Sequence, residues 1–251
     1  MMLAVSEIFY SLQGEGEFIG TPSVFVRLGG CNLRCEGFGV RGSLGSREFI
    51  GCDSIYAAHY AFAKEWRSFE TSALLIKEIK SLGKHLFDII ITGGEPSLHF
   101  SNPILLQTME YFLQKGHRIC VESNGSVPFV FDSILKQLYF TLSVKLSNSG
   151  EPISKRLKIP VIQSIIDNAK NVVFKFVLNA TMCQEAKALQ EIKALLASLR
   201  LKGNQIFLMP QGTTPHELDT NIQAIYPLCL QEGFCLSDRL HIRIWGDKRG
   251  F

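Results

Sequence analysis

Short runs of β-branched and aromatic residues alternate along this chain with stretches of helical period. Strands are predicted at Ser23–Leu28, Phe87–Thr92, Arg118–Ser123, Tyr139–Lys145, Asn171–Leu178, Gln205–Met209 and Leu240–Ile244. Helices are predicted over Thr71–Leu82, Pro103–Lys115 and Met182–Arg200. In the last of these, Ala186, Leu189, Ile192, Leu195, Leu196 and Leu199 recur at helical spacing, and Thr181-x-x-Gln184 reads as a capping box. Runs such as Asp88-Ile-Ile-Ile-Thr92 are apolar on both faces, as a parallel sheet covered by helices requires. Alternating β and α units of this length predict an α/β fold, a parallel sheet or barrel wrapped by helices. No linker, repeat or low-complexity stretch interrupts the 251 residues, so a single domain is expected.

Ligands of such sheets bind at the carboxyl ends of the strands. Arg27 ends the first core strand and Thr92 the second, which runs into Gly93-Gly94-Glu95-Pro96. Glu122-Ser-Asn124-Gly125, Ser143-Val144-Lys145 and Met209-Pro210-Gln211-Gly212 follow at the ends of later strands. Any one of these is an ordinary loop start, but five polar or glycine-bearing ends at one rim mark where the fold places its chemistry.

Cys31, Cys35 and Cys52 follow the first core strand. Three thiolates can bind three irons of a 4Fe–4S cluster and leave the fourth open to a small molecule, whereas a closed electron-transfer cluster takes four cysteines. The glycine pair lets another chain or a ligand approach the backbone, and Glu95 is placed to meet a ligand's ammonium. The sixteen residues between Cys35 and Cys52 include Gly37, Gly39, Gly42, Gly45 and Gly51, so a loop is expected there. The cysteines alone leave two other readings open: small buried hydrophobes, or a structural zinc site with His59 or Asp53 as fourth ligand. Cys120, Cys183, Cys229 and Cys235 read as packing residues. His59, His85, His99, His117 and His216 lack metal-site spacing.

Composition narrows the function classes. The net charge is +3 with no block of like charges, which argues against a dedicated nucleic-acid surface. The first residues lack a basic n-region and carry Glu7, unlike a signal peptide, and no apolar run reaches the roughly 18 residues of a membrane span. Seven cysteines, an odd number, fit a reducing compartment, so a cytoplasmic protein is expected.

With the rim assembled, the chain resembles the radical S-adenosylmethionine enzymes, and among them the 7-carboxy-7-deazaguanine synthases. The resemblance runs through Tyr10-Ser-Leu-Gln13-Gly-Glu15-Gly16, Phe25-Val-Arg27-Leu-Gly-Gly-Cys31-Asn-Leu-Arg-Cys35, Cys52-Asp53-Ser54, Thr92-Gly-Gly-Glu-Pro96, Glu122-Ser-Asn-Gly125, Ser143-Val-Lys145, Met209-Pro210 and His241-Ile-Arg-Ile-Trp245-Gly-Asp-Lys-Arg249-Gly. It departs from the superfamily's C-x3-C-x2-C at Phe38, so residues 36–51 read as an insertion before the third ligand. Ser54 stands where the family has a magnesium-binding threonine.

The resemblance implies a partial (β/α)6 barrel, a 4Fe–4S cluster on Cys31, Cys35 and Cys52, S-adenosylmethionine, and a magnesium ion at Ser54. Along the cofactor it places Gly51, Cys52 and Asp53, then Gly93, Gly94 and Glu95, then Asn124, Ser143, Val144 and Lys145, and finally Met209, Pro210, Gln211 and Gly212. The implied reaction is radical ring contraction of 6-carboxy-5,6,7,8-tetrahydropterin to 7-carboxy-7-deazaguanine with loss of ammonia, in queuosine biosynthesis. Leu12, Gln13, Gly14, Glu15, Arg27, Thr92 and Phe251 are the implied substrate residues. Chemically, the Arg27 guanidinium suits the substrate carboxylate, and Gln13 and Glu15 match its aminopyrimidinone edge. The plainer readings are a rim ion pair for Arg27 and a solvated turn for Glu15.

The implied partners are a small-molecule pterin, an electron donor such as flavodoxin or ferredoxin, and a second copy in a homodimer. The tail from Trp245 to Phe251 is expected to follow the last strand without a further helix and to close the pocket with Lys248, Arg249 or the terminal carboxylate. Two rivals remain open at this point, an activating enzyme that installs a radical on a protein partner and a zinc-stabilised nucleic-acid-binding module.

Overall fold

A computed structural model describes residues 2–250. Its strands are β1 (Leu3–Leu12), β2 (Pro22–Leu28), β3 (Val40–Leu44), β4 (Arg47–Gly51), β5 (Arg67–Phe69), β6 (Asp88–Gly93), β7 (Ile119–Ser123), β8 (Tyr139–Leu142), β9 (Asn171–Leu178), β10 (Ile206–Pro210) and β11 (Cys235–Leu236). Its helices are α1 (Ile55–Ala58), α2 (Ser72–Leu82), α3 (Pro103–Gln114), α4 (Ile153–Arg156), α5 (Ile159–Asn168), α6 (Ala180–Gln184), α7 (Lys187–Ala197), α8 (Pro215–Glu232) and α9 (Leu240–Trp245). Nine strands form one sheet in the order β11-β10-β9-β8-β7-β6-β2-β1-β5. From β2 to β11 neighbouring strands run parallel, and β1 and β5 add antiparallel at the far edge. The expected parallel α/β architecture is present as an open sheet.

The pleat explains where the core lies, because side chains alternate between the two faces of a strand. Val24, Val26, Leu28, Ile89, Ile91, Val121, Phe140, Phe174 and Phe176 join the main core with residues of the surrounding helices. The opposite face carries Phe25, Ile90 and Cys120, packed by Phe9, Phe18 and Tyr139 into a small apolar floor. One pleat further along the same face come Arg27, Thr92 and Glu122, in the registers Arg27↔Thr92 and Glu122↔Thr141. The inner face therefore changes from apolar to polar within two residues of each strand.

Several expected elements differ. The strand expected over 240–244 lies instead in helix α9 (Leu240–Trp245), so the tail follows a helix. The period-2 run His241-Ile-Arg-Ile mimics a strand, but only Ile242 of this helix is buried, and Leu240 N is fixed by a 2.9 Å bond to the Gly14 carbonyl. The helix expected over 182–200 is broken at Ala186, whose φ of 52° starts α7 anew. Its N-terminal cap is Asn179, which accepts from Met182 N, in place of the Thr181 capping box. Residues 36–51 are a 3-10 turn followed by the antiparallel hairpin β3–β4, not a loop. Gly45, at φ 61°, supplies the left-handed residue of its turn. Gly42 is required elsewhere on the hairpin, because a Cβ there would lie 2.7 Å from Ile55. The strand expected over 139–145 ends at Leu142.

Candidate active site

At the carboxyl ends of the parallel strands lies a cavity of about 690 Å³. Its walls are built from four parts of the chain: the 12–15 segment, the cysteine loop with its hairpin, the strand ends, and the 239–250 segment.

The cysteine wall begins at Gly29-Gly30. Gly94 N donates to the Leu28 carbonyl at 3.1 Å and Glu95 N to the Gly30 carbonyl at 2.8 Å, so the end of β6 is laced to the start of the cysteine loop. A Cβ at Gly94 would lie 2.0 Å from Gly30 O, and one at Gly93 2.2 Å from Leu28 O. The glycine pair serves this chain-to-chain approach. Glu95 does not reach the cavity. Its carboxylate is fully buried and accepts from Ser97 N (3.0 Å), Ser123 Oγ (2.7 Å) and Asn124 N (2.7 Å), which corrects its expected place beside a ligand ammonium. It acts instead as a brace for the 123–126 turn. Asn124 itself does line the cavity and donates to Asn32 Oδ1 at 3.0 Å.

Cys31, Cys35 and Cys52 all face the cavity. Burial pushes the Cys31 and Cys52 thiols up to about 12, and their neighbours' negative charge adds to it. Among the described residues no three His, Cys, Asp or Glu side chains converge closely enough for a single metal ion. His59 does not line the cavity with the three cysteines, and Asp53 is tied to Arg239. Three thiols on one wall, with the other four cysteines elsewhere and outside the cavity, match the donor set of a cluster with one open iron.

The polar layer of the cavity is tightly cross-linked. Arg27 donates from Nε to Glu7 Oε1 at 2.7 Å and from Nη1 to Ser54 Oγ at 3.4 Å. Tyr56 also donates to Glu7 Oε1, at 2.5 Å. Glu122 accepts from Thr92 Oγ1 at 2.8 Å and from Gln13 Nε2 at 3.3 Å. Glu15 is no solvated turn: it is largely enclosed by Lys175, Arg239 and His241. Burial alone would raise its pKa, but the charges of Lys175 and Arg239 hold the carboxyl far below the usual carboxylate range. Gly14 must be glycine because a Cβ would lie 2.1 Å from His241 Nδ1. Burial lowers the His241 pKa, so this ring is neutral near pH 7.

The cavity thus gathers Leu12, Gln13, Gly14, Glu15, Arg27, Thr92, Cys52, Asp53, Ser54, Gly93, Gly94, Asn124, Ser143, Lys145, Met209, Gln211 and Gly212. Gly51, Val144 and Pro210 do not line it: Gly51 packs on Ile55, and Val144 and Pro210 are buried. Phe251 lies outside the described residues. Residues 246–250 do line the cavity, and the Arg249 guanidinium lies 3.7 Å over the Tyr56 ring. Glu7, Tyr56, Lys175 and Arg239 are not read as site residues from the sequence, and Glu122 and His241 appear there only within motifs. Glu122 and Lys175 carried a signal, as charged residues inside apolar strands on the same pleat face as Thr92.

Comparison with known proteins agrees with this picture. No protein-family model matches the chain. The 7-carboxy-7-deazaguanine synthase of Halobacterium salinarum is 30% identical over 265 residues, covering 98% of this chain and 91% of the relative. That of Rhodopirellula baltica is 30% identical, covering 99% and 88%, and that of Pyrobaculum aerophilum 30%, covering 98% and 96%. The crystal structure of QueE from Escherichia coli shares the fold, with a TM-score of 0.67 at 21% identity over 96% of this chain and 95% of that one. These relatives place the chain, a parallel sheet with three thiols at its carboxyl rim, among the radical S-adenosylmethionine enzymes. The chain belongs to the 7-carboxy-7-deazaguanine synthase family.

Proposed function

We propose that this protein converts 6-carboxy-5,6,7,8-tetrahydropterin to 7-carboxy-7-deazaguanine with loss of ammonia. The observation that carries the reading is the joining, in one cavity, of the three-thiol wall to a cross-linked carboxylate and guanidinium layer. When bound, the 4Fe–4S cluster and S-adenosylmethionine supply the radical chemistry, and the protein supplies aim and electrostatics.

Cys31, Cys35 and Cys52 would hold the cluster. Asn124, Ser143, Lys145 and the 209–212 turn would lie along the cofactor. Arg27 keeps Nη2 without a protein acceptor among the described residues, so this edge is open to the substrate carboxylate. Glu122 aims Thr92 and Gln13 at the bound ring through its two hydrogen bonds. Lys175 and Arg239 keep Glu15 ionised and fixed as an acceptor for the aminopyrimidinone donors. The stacked rings of Phe9 and Phe25, 4.8 Å apart, give the cavity an apolar floor. Residues 246–250 restrict water from the open side. Ser54 would present its hydroxyl to magnesium, with Asp53 Oδ1 beside it at 3.2 Å. The protein works as a cytoplasmic homodimer served by flavodoxin or ferredoxin, by resemblance to its family.

The test is anaerobic incubation of reconstituted, dithionite-reduced enzyme with S-adenosylmethionine and the carboxytetrahydropterin. The expected outcome is 7-carboxy-7-deazaguanine by mass and ultraviolet spectrum. Cofactor cleavage without any deazapurine would refute the assignment.

A further inference from the structure

The loop that carries Cys35 is gripped from outside the cavity. Glu151 Oε1 accepts from two consecutive backbone amides, Arg34 N and Cys35 N, the latter at 3.1 Å. Cys35 has φ 53°, a left-handed conformation that an L-residue keeps only when its surroundings hold it there. Two residues on, Gly37 abuts the same turn, since a Cβ would lie 2.2 Å from the Asn148 carbonyl. That turn is itself rigid. The buried Arg156 donates to the carbonyls of Lys145 at 2.8 Å and Glu151 at 3.2 Å, and pairs with Glu191. Lys145 on the cavity side and Glu151 on the loop side therefore belong to one braced segment.

We propose that Glu151 is a positioning residue for the iron–sulfur cluster, holding the Cys35 turn and lowering the cluster's reduction potential through its negative charge. The inference rests on the cluster reading given above. Potentials of thiolate-bound clusters follow net charge and the hydrogen bonding around the ligands, so a carboxylate on the Cys35 backbone favours the oxidised state. The reduced state then becomes a stronger electron donor, as reductive cleavage of a sulfonium demands.

The experiment compares reconstituted wild type, Glu151→Gln and Glu151→Ala by iron and sulfide content and by redox titration followed in the visible and by electron paramagnetic resonance. Glu151→Gln keeps an acceptor oxygen, so full iron content with a more positive midpoint potential is expected. Glu151→Ala should lose iron to a chelator faster. Glu151→Gln with full iron and an unchanged potential overturns the proposal. A folded Glu151→Gln protein that holds no iron reduces Glu151 to a structural brace and also overturns it. Wild type that assembles no cluster defeats the underlying cluster reading, which is a separate result.

Discussion

Arg239 and Asp53, 186 residues apart in sequence, meet at 2.6 Å between Nη2 and Oδ2. The same guanidinium donates from Nη1 to the Gly212 carbonyl at 2.6 Å and from Nε to Glu15 at 3.1 Å. One side chain thus ties the residue after the third cysteine to the substrate segment and to the turn beyond β10. A planar fork can make three such contacts at once, and a lysine ammonium on a flexible stem cannot match that geometry.

Replacing Arg239 by Ala should therefore cost stability as well as activity. It takes one of the two permanent cations from Glu15, which keeps Lys175, and takes the guanidinium from Asp53, where hydrogen bonds to charged groups contribute about 1.5–3 kcal/mol each. Urea unfolding should show the loss. Arg239→Lys should recover part of the stability yet keep a raised substrate KM, because Glu15 and Asp53 no longer share one anchor. Wild-type kinetics in Arg239→Lys would show that only charge matters here.

The cysteines divide cleanly. Alanine at any one of Cys31, Cys35 or Cys52 should abolish cluster assembly, because two thiolates do not hold it. Alanine at Cys120, Cys183, Cys229 or Cys235 should leave iron and sulfide content unchanged, since none of these faces the cavity. Iron retained in Cys52→Ala would mean that another residue is the third ligand.

How much of this was legible depended on whether a residue's environment is local. Strands β6 and β9 announce themselves because both faces are buried, which forces long apolar runs. The polar rim follows from strand direction alone. Residues 240–244 mimic a strand because helix α9 is fixed by the Leu240 N bond to the Gly14 carbonyl and by the Arg239 side chain on Glu15 and Asp53, which no local pattern encodes. The hairpin β3–β4 was hidden by its glycines, although Gly45-Ser46 between two short runs is itself a hairpin signal. Glu95 looked like a ligand group because its motif lies at the rim. Its three internal donors come from a strand end and two turns that only the fold brings together.

Arg27→Ala should weaken substrate binding far more than cofactor binding, by about 2–4 kcal/mol for a lost carboxylate partner in a buried site. Glu7 now bonds Nε alone, so Glu7→Gln should have a smaller effect that acts through the orientation of Arg27. The decisive comparison is cofactor cleavage in the absence of substrate. If that collapses in Arg27→Ala as well, Arg27 serves the cofactor or the fold.

Magnesium should raise activity through Ser54, whose hydroxyl lies between Arg27 and Asp53. The ion keeps most of its waters, so one hydroxyl and one neighbouring carboxylate are enough protein contact. Ser54→Thr should preserve the response and Ser54→Ala should blunt it. Equal turnover in chelator and in millimolar magnesium would remove the ion from the mechanism.

The tail carries the last prediction. Residues 246–250 line the cavity, and Arg249 lies 3.7 Å over Tyr56, whose hydroxyl bonds Glu7, the partner of Arg27. The tail is therefore linked through two side chains to the Arg27 guanidinium, while among the described residues no hydrogen bond joins it to the cysteine wall. Terminal residues commonly fray, and Gly246 and Gly250, both at positive φ, allow that freedom as readily as a fold-back. Deleting residues 247–251 should raise the substrate KM or lower turnover and leave iron content intact. Arg249→Ala should reproduce part of the effect, since a cation over an aromatic face contributes about 0.5–2 kcal/mol. Unchanged kinetics in the truncated enzyme would show that the tail plays no part in closing the pocket, whatever its position against Tyr56.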